Sequence, residues 1–122
     1  MGTGVHEGLR EPAVAGVERK GDATVVALAG ELDLYNAEEI REALFAEIEA
    51  GPARIVVDLS RVHFIDSTAL GVLIESRSKL ADRRAFLLAA PALETRRALE
   101  ISGLDRHFTL CDTVDEALAA RL

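Results

Sequence analysis

Two short apolar runs limit what this chain can fold into more than any other feature of its sequence. Apolar residues follow one another with almost no alternation from Arg54 to Leu59 and from Ala85 to Ala90. A strand with one face in water alternates apolar and polar residues, whereas a strand of a parallel sheet is covered on both faces and does not. The two runs therefore predict buried strands of a parallel sheet whose faces are covered by helices.

Segments with the apolar spacing of amphipathic helices alternate with the strand segments. The first helix is predicted to begin at Asn36, with Glu39 as the reciprocal acid of a capping box, and to stop at Gly51. Its apolar stripe consists of Ala37, Ile40, Leu44 and Ile48. This pattern predicts a helix that packs one face on the sheet.

Three further helices are predicted in the same way. They run from about Ser67 to Ala81, from Pro91 to Gly103, and from Thr113, which forms a capping box with Glu116. Gly103 in a left-handed conformation, with Leu104 folding back, fits the usual helix exit. In the first, the apolar residues Leu70, Leu73 and Ile74 recur at helical spacing, and the second runs through Leu93, Ala98 and Leu99. The expected buried face of the third consists of Val114, Ala117 and Leu118.

The N-terminal part of the pattern is typical of a hairpin. The β-rich segments Ala13 to Arg19 and Ala23 to Leu32 are separated by a break at Lys20 to Asp22, and a short last strand is predicted at His107 to Leu110. Strands that alternate with helices of about ten to fifteen residues form βαβ units. The predicted fold class is therefore α/β, with a mostly parallel sheet flanked by helices and a first strand antiparallel to its neighbour.

The length of the chain and its apolar content limit its organisation and location. A chain of 122 residues suits one compact domain, predicted at residues 13–122, with a polar tail at residues 1–12. No apolar run approaches the roughly 18 residues of a membrane span, and the N-terminus lacks the basic and apolar blocks of a signal peptide. We expect a cytoplasmic protein that does not insert into a membrane.

Charge and cysteine content argue against further classes of function. A net charge of −7 disfavours a surface that binds nucleic-acid phosphates, because such a surface needs clustered lysine and arginine. The single cysteine, Cys111, leaves no internal disulfide and no cysteine cluster for a metal. The expected ligand is another protein.

Three oxygen-bearing side chains, Asp66, Ser67 and Thr68, stand between a predicted strand and a predicted helix. One interpretation is capping, because the free N–H groups at a helix N-terminus need such acceptors. The other is a modification site, because the same N–H groups and the helix dipole stabilise a phosphate attached to a hydroxyl there. The residue types alone leave both interpretations open.

A catalytic interpretation of this turn has little support. Ser67 lies beside Asp66, and His63 and His107 are present elsewhere, but the chain lacks the GxSxG elbow of a serine hydrolase. His63 is expected to be a core or strand-end residue of an apolar strand rather than a base. No glycine-rich phosphate loop precedes a helix. We therefore predict no enzyme activity, no catalytic residues, no cofactor and no metal.

Four segments together resemble one protein family. They are GELDLYNAEEI at 30–40, VVDLSRVHFI at 56–65, DSTALG at 66–71 and EISGL at 100–104. In this order and at these separations they are similar to the STAS family, the bacterial anti-sigma factor antagonists, over roughly Val17 to Leu122. The resemblance implies the same α/β fold, here as a single STAS-like domain.

The resemblance also implies a function. In that family the serine directly after the aspartate is phosphorylated by a partner anti-sigma factor that is itself a serine kinase, and here that position is Ser67. The unmodified protein binds the kinase and frees the sigma factor, the phosphorylated protein lets go, and a phosphatase of the PP2C type restores it. The implied contact face consists of Asp33 and the loop after it, Asp66, Ser67 and Thr68, and the start of the next helix at Ala69 and Leu70.

Some observations leave alternatives to this interpretation. Ala69 stands where the family most often has glycine, and Arg83 with Arg84 replaces a glycine-rich turn. Asp33 is equally well interpreted as a strand-end residue that bonds nearby amides. A STAS module can also be the scaffold or regulatory subunit of a signalling complex or of a lipid-transport ATPase, in which the serine need not be modified.

Overall fold

Strands and helices alternate along residues 11–122, which are the residues that the structure, a computed structural model, describes. The strands are β1 (Val14–Lys20), β2 (Ala23–Leu32), β3 (Arg54–Ile65), β4 (Phe86–Ala89) and β5 (Thr109–Cys111). The helices are α1 (Ala37–Glu49), α2 (Ser67–Ser78), α3 (Leu93–Ile101) and α4 (Val114–Ala119). Short 3₁₀ turns at Arg83–Ala85 and Leu104–Arg106 precede β4 and β5.

The strands of the described chain stand side by side in the order of the sequence. β1 and β2 pair antiparallel across a tight turn in which Gly21 has a φ of 62°, a conformation that glycine adopts without a steric cost. The pairs β2–β3, β3–β4 and β4–β5 are parallel. The predicted fold class is confirmed, including the antiparallel first strand.

Helices α1, α2 and α3 cover one face of the sheet. Each joins two parallel neighbours, and because such crossovers are right-handed, a sheet that grows in one direction receives all of its crossover helices on the same face. The core between these helices and the sheet is mainly apolar. It includes Val26, Leu28, Ile40, Leu44, Ile55, Val57, Leu59, Leu70, Leu73, Phe86, Leu88 and Leu99.

The short helix α4 packs on the opposite face. It places Ala117 against a second apolar cluster formed by Val25, Val56, Leu87 and Ala89. The hydroxyl of Thr113 accepts a hydrogen bond from Glu116 N at 3.0 Å, so the predicted N-cap of this helix is confirmed. The reciprocal bond of the predicted capping box is displaced by one residue, because Glu116 Oε2 accepts from Asp112 N at 3.2 Å. Arg54 donates from Nη1 to the Ala117 carbonyl oxygen at 2.7 Å, which ties α4 to the start of β3.

Strand β3 runs up to the turn at Asp66, as predicted, but its second half is more exposed than that of a strand covered on both faces. It continues to Ile65, whereas its pairing with β4 ends at Asp58, so its second half pairs with β2 alone. His63 and Phe64 are exposed in this half, Phe64 by 53%. His63 is therefore a strand-end residue and not a core residue.

Two residues of the predicted helix stripes face solvent instead of the core. Ile74 in α2 and Leu93 at the start of α3 are exposed, so apolar spacing alone does not identify the buried residues of these helices. In α2 the buried set also includes Val72 and Ser76. Apolar and small residues occur on most sides of this helix, so their spacing does not identify a single buried face.

The predicted bounds of the domain and of the N-terminal tail remain predictions. Most of the tail, residues 1–10, lies outside the described residues. Ala13 is buried, and its carbonyl oxygen accepts a hydrogen bond from Ala29 N at 2.9 Å. None of the helices in residues 11–122 has both the length and the apolar character needed to span a membrane.

Candidate functional site

Asp66 is the N-cap of α2, and Ser67 is the first residue of the helix. Asp66 has an extended backbone, with φ −95° and ψ 177°, and its Oδ1 accepts a hydrogen bond from Ala69 N at 2.9 Å. Its carbonyl oxygen accepts the first helical hydrogen bond, from Leu70 N at 3.0 Å. The capping function therefore belongs to Asp66, and the exposed hydroxyls of Ser67 and Thr68 are not the cap.

The loop between β2 and α1, residues 33–36, is bonded to this turn. Leu34 N donates a hydrogen bond to Asp66 Oδ2 at 3.1 Å, and Asp66 N donates to the Leu32 carbonyl oxygen at 2.9 Å. Parallel neighbours β2 and β3 bring their carboxyl ends to the same edge of the sheet, and their register ends with Leu32 opposite Ile65. The two predicted contact segments thus meet at Asp66.

Asn36 organises the loop from within and does not cap α1 as predicted. Its Oδ1 accepts a hydrogen bond from Asp33 N at 2.9 Å, and its Nδ2 donates to the Glu31 carbonyl oxygen at 2.8 Å. Its side chain makes no capping hydrogen bond to the helix. Glu39 likewise does not reach back to the cap, because its Oε2 accepts from Val14 N at 3.0 Å. The predicted helix start is correct, but the predicted capping box is wrong.

Asp33 also bonds the backbone of the loop. Its Oδ1 accepts a hydrogen bond from Tyr35 N at 3.0 Å, in the Asx-turn geometry that a strand-end aspartate often adopts. The side chain is half-buried, so it retains some surface at this end of the sheet. The interpretation of Asp33 as a strand-end residue that bonds nearby amides is therefore confirmed, and its role in partner contact stays a prediction.

Exposed apolar side chains accompany these polar groups. Leu34 and Tyr35 are 61% and 81% exposed in the loop that bonds to Asp66, and the exposed Phe64 lies two residues before Asp66 on β3. Isolated exposed apolar residues are common, but consecutive ones in an ordered loop are a signal of protein contact. Sequence analysis missed Leu34 and Tyr35 as individual site residues. The sequence offered one signal of their exposure: they lie directly before Asn36, in a loop with no apolar periodicity.

Two predicted contact residues point inward. Ala69 and Leu70 are buried in the main core beneath α2, so their side chains offer a partner little surface. The methyl group of Ala69, which replaces the usual glycine, is thus part of the packing and lies away from the exposed side of the turn. These two residues contribute to the site by fixing the first turn of α2.

The arrangement does not assemble a catalytic group around Ser67. His63 lines an open cleft with Ala29, Gly30 and Glu31, and neither Ser67 nor Thr68 is part of that lining. Burial raises the pKa of the Cys111 thiol, which disfavours the reactive thiolate. Within residues 11–122 no cluster of three or more His, Cys, Asp or Glu side chains has the geometry to hold a metal ion. The chemistry that the turn offers is an accessible hydroxyl at a helix N-terminus.

The chain matches known proteins over most of its length. The model of the STAS domain family matches residues 15–117. The anti-sigma-F factor antagonist RsfB of Mycobacterium tuberculosis is 34% identical over 94 residues, which cover 77% of each protein. The crystal structure of an anti-sigma factor antagonist from Mycobacterium paratuberculosis is 35% identical, with a TM-score of 0.80, and the match covers 85% of this chain and 89% of that one.

A more distant structure is similar in two states of modification. The anti-sigma factor antagonist SpoIIAA in its unphosphorylated form is 26% identical, with a TM-score of 0.71 over 84% of this chain and 91% of that one. The Bacillus SpoIIAA in its phosphorylated form is 26% identical, with a TM-score of 0.64 over 85% of this chain and 96% of that one. The likeness thus extends to an antagonist solved with and without a phosphate.

Proposed function

The chain belongs to the STAS domain family, and from this premise we propose that it is an anti-sigma factor antagonist that phosphorylation of Ser67 switches off. Unmodified, it binds an anti-sigma factor serine kinase and releases the sigma factor. Phosphorylated, it dissociates, and a phosphatase of the PP2C type restores it. One observation carries this proposal: Ser67 is exposed as the first residue of α2, while Asp66 supplies the cap.

The position of Ser67 suits a reversible modification. Its hydroxyl is exposed to a kinase, and the fold does not depend on it for the cap. A phosphate adds about −1.5 to −2 charges at neutral pH. The N-terminus of the 12-residue helix α2 offsets such a charge by about 0.3 to 2 kcal/mol, so the domain is expected to stay folded in both states.

The unmodified turn and the loop beside it form the proposed contact face. Its polar part consists of Asp33, Asp66, Ser67 and Thr68, and its apolar part of Leu34 and Tyr35. Tyrosine is among the residues that most often dominate binding energy at protein interfaces. Because the protein carries a net charge of −7, a partner with basic groups around an apolar recess complements this face.

The named relatives support the same role. RsfB is an anti-sigma-F factor antagonist, and SpoIIAA is an anti-sigma factor antagonist for which a phosphorylated form is solved. These relatives are regulatory proteins, and an enzyme activity of this chain is not part of the proposal. We place its action in the cytoplasm, where it meets its protein partners and makes no direct contact with nucleic acid.

Phosphorylation by purified anti-sigma factor kinases from the same cell tests the proposal. Wild type, Ser67→Ala and Thr68→Ala are incubated with each kinase and ATP, and the peptides are analysed by mass spectrometry. We expect one phosphate on Ser67 in wild type and in Thr68→Ala, and none in Ser67→Ala. The release of sigma factor from the kinase by each unmodified protein is measured in parallel.

Two results would contradict the proposal. Phosphate on Thr68 alone would contradict the assignment of the modification to Ser67. Equal affinity of the modified and unmodified proteins for the kinase would contradict the claim that phosphorylation controls binding. A protein that binds no anti-sigma factor and is not phosphorylated would favour the scaffold or transport role. Thr68→Ala controls for the general effect of removing a hydroxyl from the first turn of α2.

A further inference from the structure

The carboxylate of Asp66 holds two segments of the chain together. Its Oδ1 accepts a hydrogen bond from Ala69 N at 2.9 Å, and its Oδ2 accepts one from Leu34 N at 3.1 Å. The two donors belong to the first turn of α2 and to the β2–α1 loop. The residue next to Ser67 therefore uses one oxygen for the helix and the other for the loop.

The exposed part of the loop depends on the second of these bonds for its position. The side chains of Leu34 and Tyr35 extend into solvent, so little packing holds them. The bonds of Asn36 and Asp33 order the backbone within the loop, and the bond from Leu34 N to Asp66 links this part of the loop to the turn. Without that link, the loop keeps its own internal order but can shift relative to Ser67.

A phosphate on Ser67 acts on this link through charge. It brings a second anion to the residue next to Asp66, and the N–H groups at the start of α2, one of which bonds Asp66 Oδ1, attract both anions. Asp66 is half-buried, so its carboxylate can turn toward water when the phosphate competes for those groups. Such a turn moves Oδ2 away from Leu34 N.

We propose that Asp66 is a positioning residue: through its Oδ2 hydrogen bond to Leu34, it makes the position of Leu34 and Tyr35 depend on whether Ser67 carries a phosphate. The inference rests on the proposed function, because a shift of Leu34 and Tyr35 gives the binding partner a second change to detect. The partner then meets a displaced pair of apolar side chains in addition to the new charge.

Tyr35 is a built-in reporter for this effect. The chain contains one tyrosine and no tryptophan, so its intrinsic fluorescence arises from Tyr35. The anisotropy of this fluorescence and the hydrogen-exchange rate of the Leu34 amide are measured on the purified protein. Ser67 is either unmodified or replaced during translation by phosphoserine, so the measurement needs neither a kinase nor a partner.

Two substitutions remove the link while keeping a cap. Asparagine and serine both cap helices well, but neither offers two acceptor oxygens, so Asp66→Asn and Asp66→Ser are expected to lose the bond to Leu34. Asp58→Asn is the matched control. Asp58 also accepts a hydrogen bond from a backbone N–H, that of Ser60 at 2.9 Å, and it lies outside the loop and the turn.

The exchange rate of the Leu34 amide is expected to rise by about three- to tenfold in the phosphoprotein and in both Asp66 variants, as the loss of one ordinary hydrogen bond implies. The anisotropy of Tyr35 is expected to fall in the same three proteins and to stay unchanged in Asp58→Asn. A Leu34 amide that exchanges at the wild-type rate in the phosphoprotein overturns the proposal, whatever the Asp66 variants show. Unchanged exchange in a folded Asp66 variant overturns it as well.

This test is separate from the test of the proposed function. The phosphoprotein carries no substitution at Asp66, so a variant that fails to fold does not remove the decisive comparison. Because no anti-sigma factor is present, a protein that binds no such partner still gives a clear result for the link.

Discussion

The side-chain amide of Asn36 donates a hydrogen bond from Nδ2 to the carbonyl oxygen of Glu31 at 2.8 Å, from a position that is only 8% exposed. Its Oδ1 meanwhile accepts from Asp33 N at 2.9 Å, so both ends of the amide are used. Aspartate caps a helix as well as asparagine does, but it has no N–H group to donate to Glu31. The role of Asn36 therefore has a direct test.

Asn36→Asp is expected to lower the free energy of unfolding by about 1 to 3 kcal/mol, because the buried side chain at position 36 loses its donor to the Glu31 carbonyl oxygen and gains a charge. Urea melts of wild type, Asn36→Asp and Asn36→Ala measure the loss. If Asn36→Asp were as stable as wild type while Asn36→Ala lost stability, Asn36 would be an ordinary N-cap and the loop bonds would be unimportant.

Ser67→Ala is expected to leave the free energy of unfolding within about 1 kcal/mol of wild type, because the cap is on the neighbouring residue. Asp66→Ala removes that cap and is expected to lose about 1 to 2 kcal/mol. Denaturant melts of both variants show which of them loses more free energy of unfolding. A larger loss in Ser67→Ala than in Asp66→Ala would show that Ser67 is structural and would weaken the switch.

A phosphate on Ser67 is expected to weaken binding to the anti-sigma factor by about a hundredfold or more, because the partner must desolvate a dianion in place of a hydroxyl. Ser67→Asp is expected to weaken binding less, since it adds one charge and less volume, and Ser67→Ala is expected to bind like wild type. Calorimetric titration gives the affinities, and circular dichroism confirms that each protein is folded.

Ser78→Asp is the matched control for this prediction. Ser78 is exposed at the last position of α2, so the substitution adds the same charge to the same helix at its other end. Equal losses of affinity in Ser67→Asp and Ser78→Asp would mean that net charge, and not the turn, controls binding.

Thr95→Val is expected to raise the free energy of unfolding by about 1 kcal/mol. Thr95 is buried in α3, and its hydroxyl has no hydrogen-bond partner within residues 11–122, so an apolar group of the same shape removes a desolvation cost. Ser76→Ala is the contrasting variant, because the Ser76 hydroxyl is buried and donates to the Val72 carbonyl oxygen at 2.8 Å. Thermal melts in which Thr95→Val is the less stable of the two would contradict this account.

The thiol of Cys111 is expected to react slowly in the folded protein at neutral pH. Burial raises its pKa, and the carboxylates of Glu116 and Asp112 raise it further. A raised pKa means less thiolate at a given pH, so the alkylation rate should increase only as the pH passes above the pKa of a free cysteine. Rates measured against pH, with urea-unfolded protein as reference, test this. Equal rates in both states at neutral pH would be inconsistent with it.

Much of the fold follows from local sequence patterns. The hairpin turn at Gly21, the left-handed exit of α3 at Gly103 and the cap of α4 at Thr113 are confirmed, because each depends on residues only a few positions apart. The continuous apolar run of β4 also indicates correctly that this strand is covered on both faces. These are cases in which one residue type satisfies one local requirement.

The parts that sequence analysis missed depend on residues far apart in the chain. Asp66 meets Leu34 across 32 positions, and Glu39 meets Val14 across 25, so nothing in the local spacing indicates either bond. Asn36 fits an N-cap by its position, and only the nearby strand end shows that its amide has other partners. The exposure of Phe64, at the end of a strand predicted to be buried, likewise depends on where β4 stops.

The order of the strands also affects how the protein is synthesised. Each strand pairs with the strand that was made just before it, so the sheet can grow from the N-terminal hairpin outward as the chain leaves the ribosome. The hydrogen bonds of Asp66 involve Leu32, Leu34, Ala69 and Leu70, all of which are translated before β4. The turn at Asp66 can thus assemble on a nascent chain whose last two strands do not yet exist.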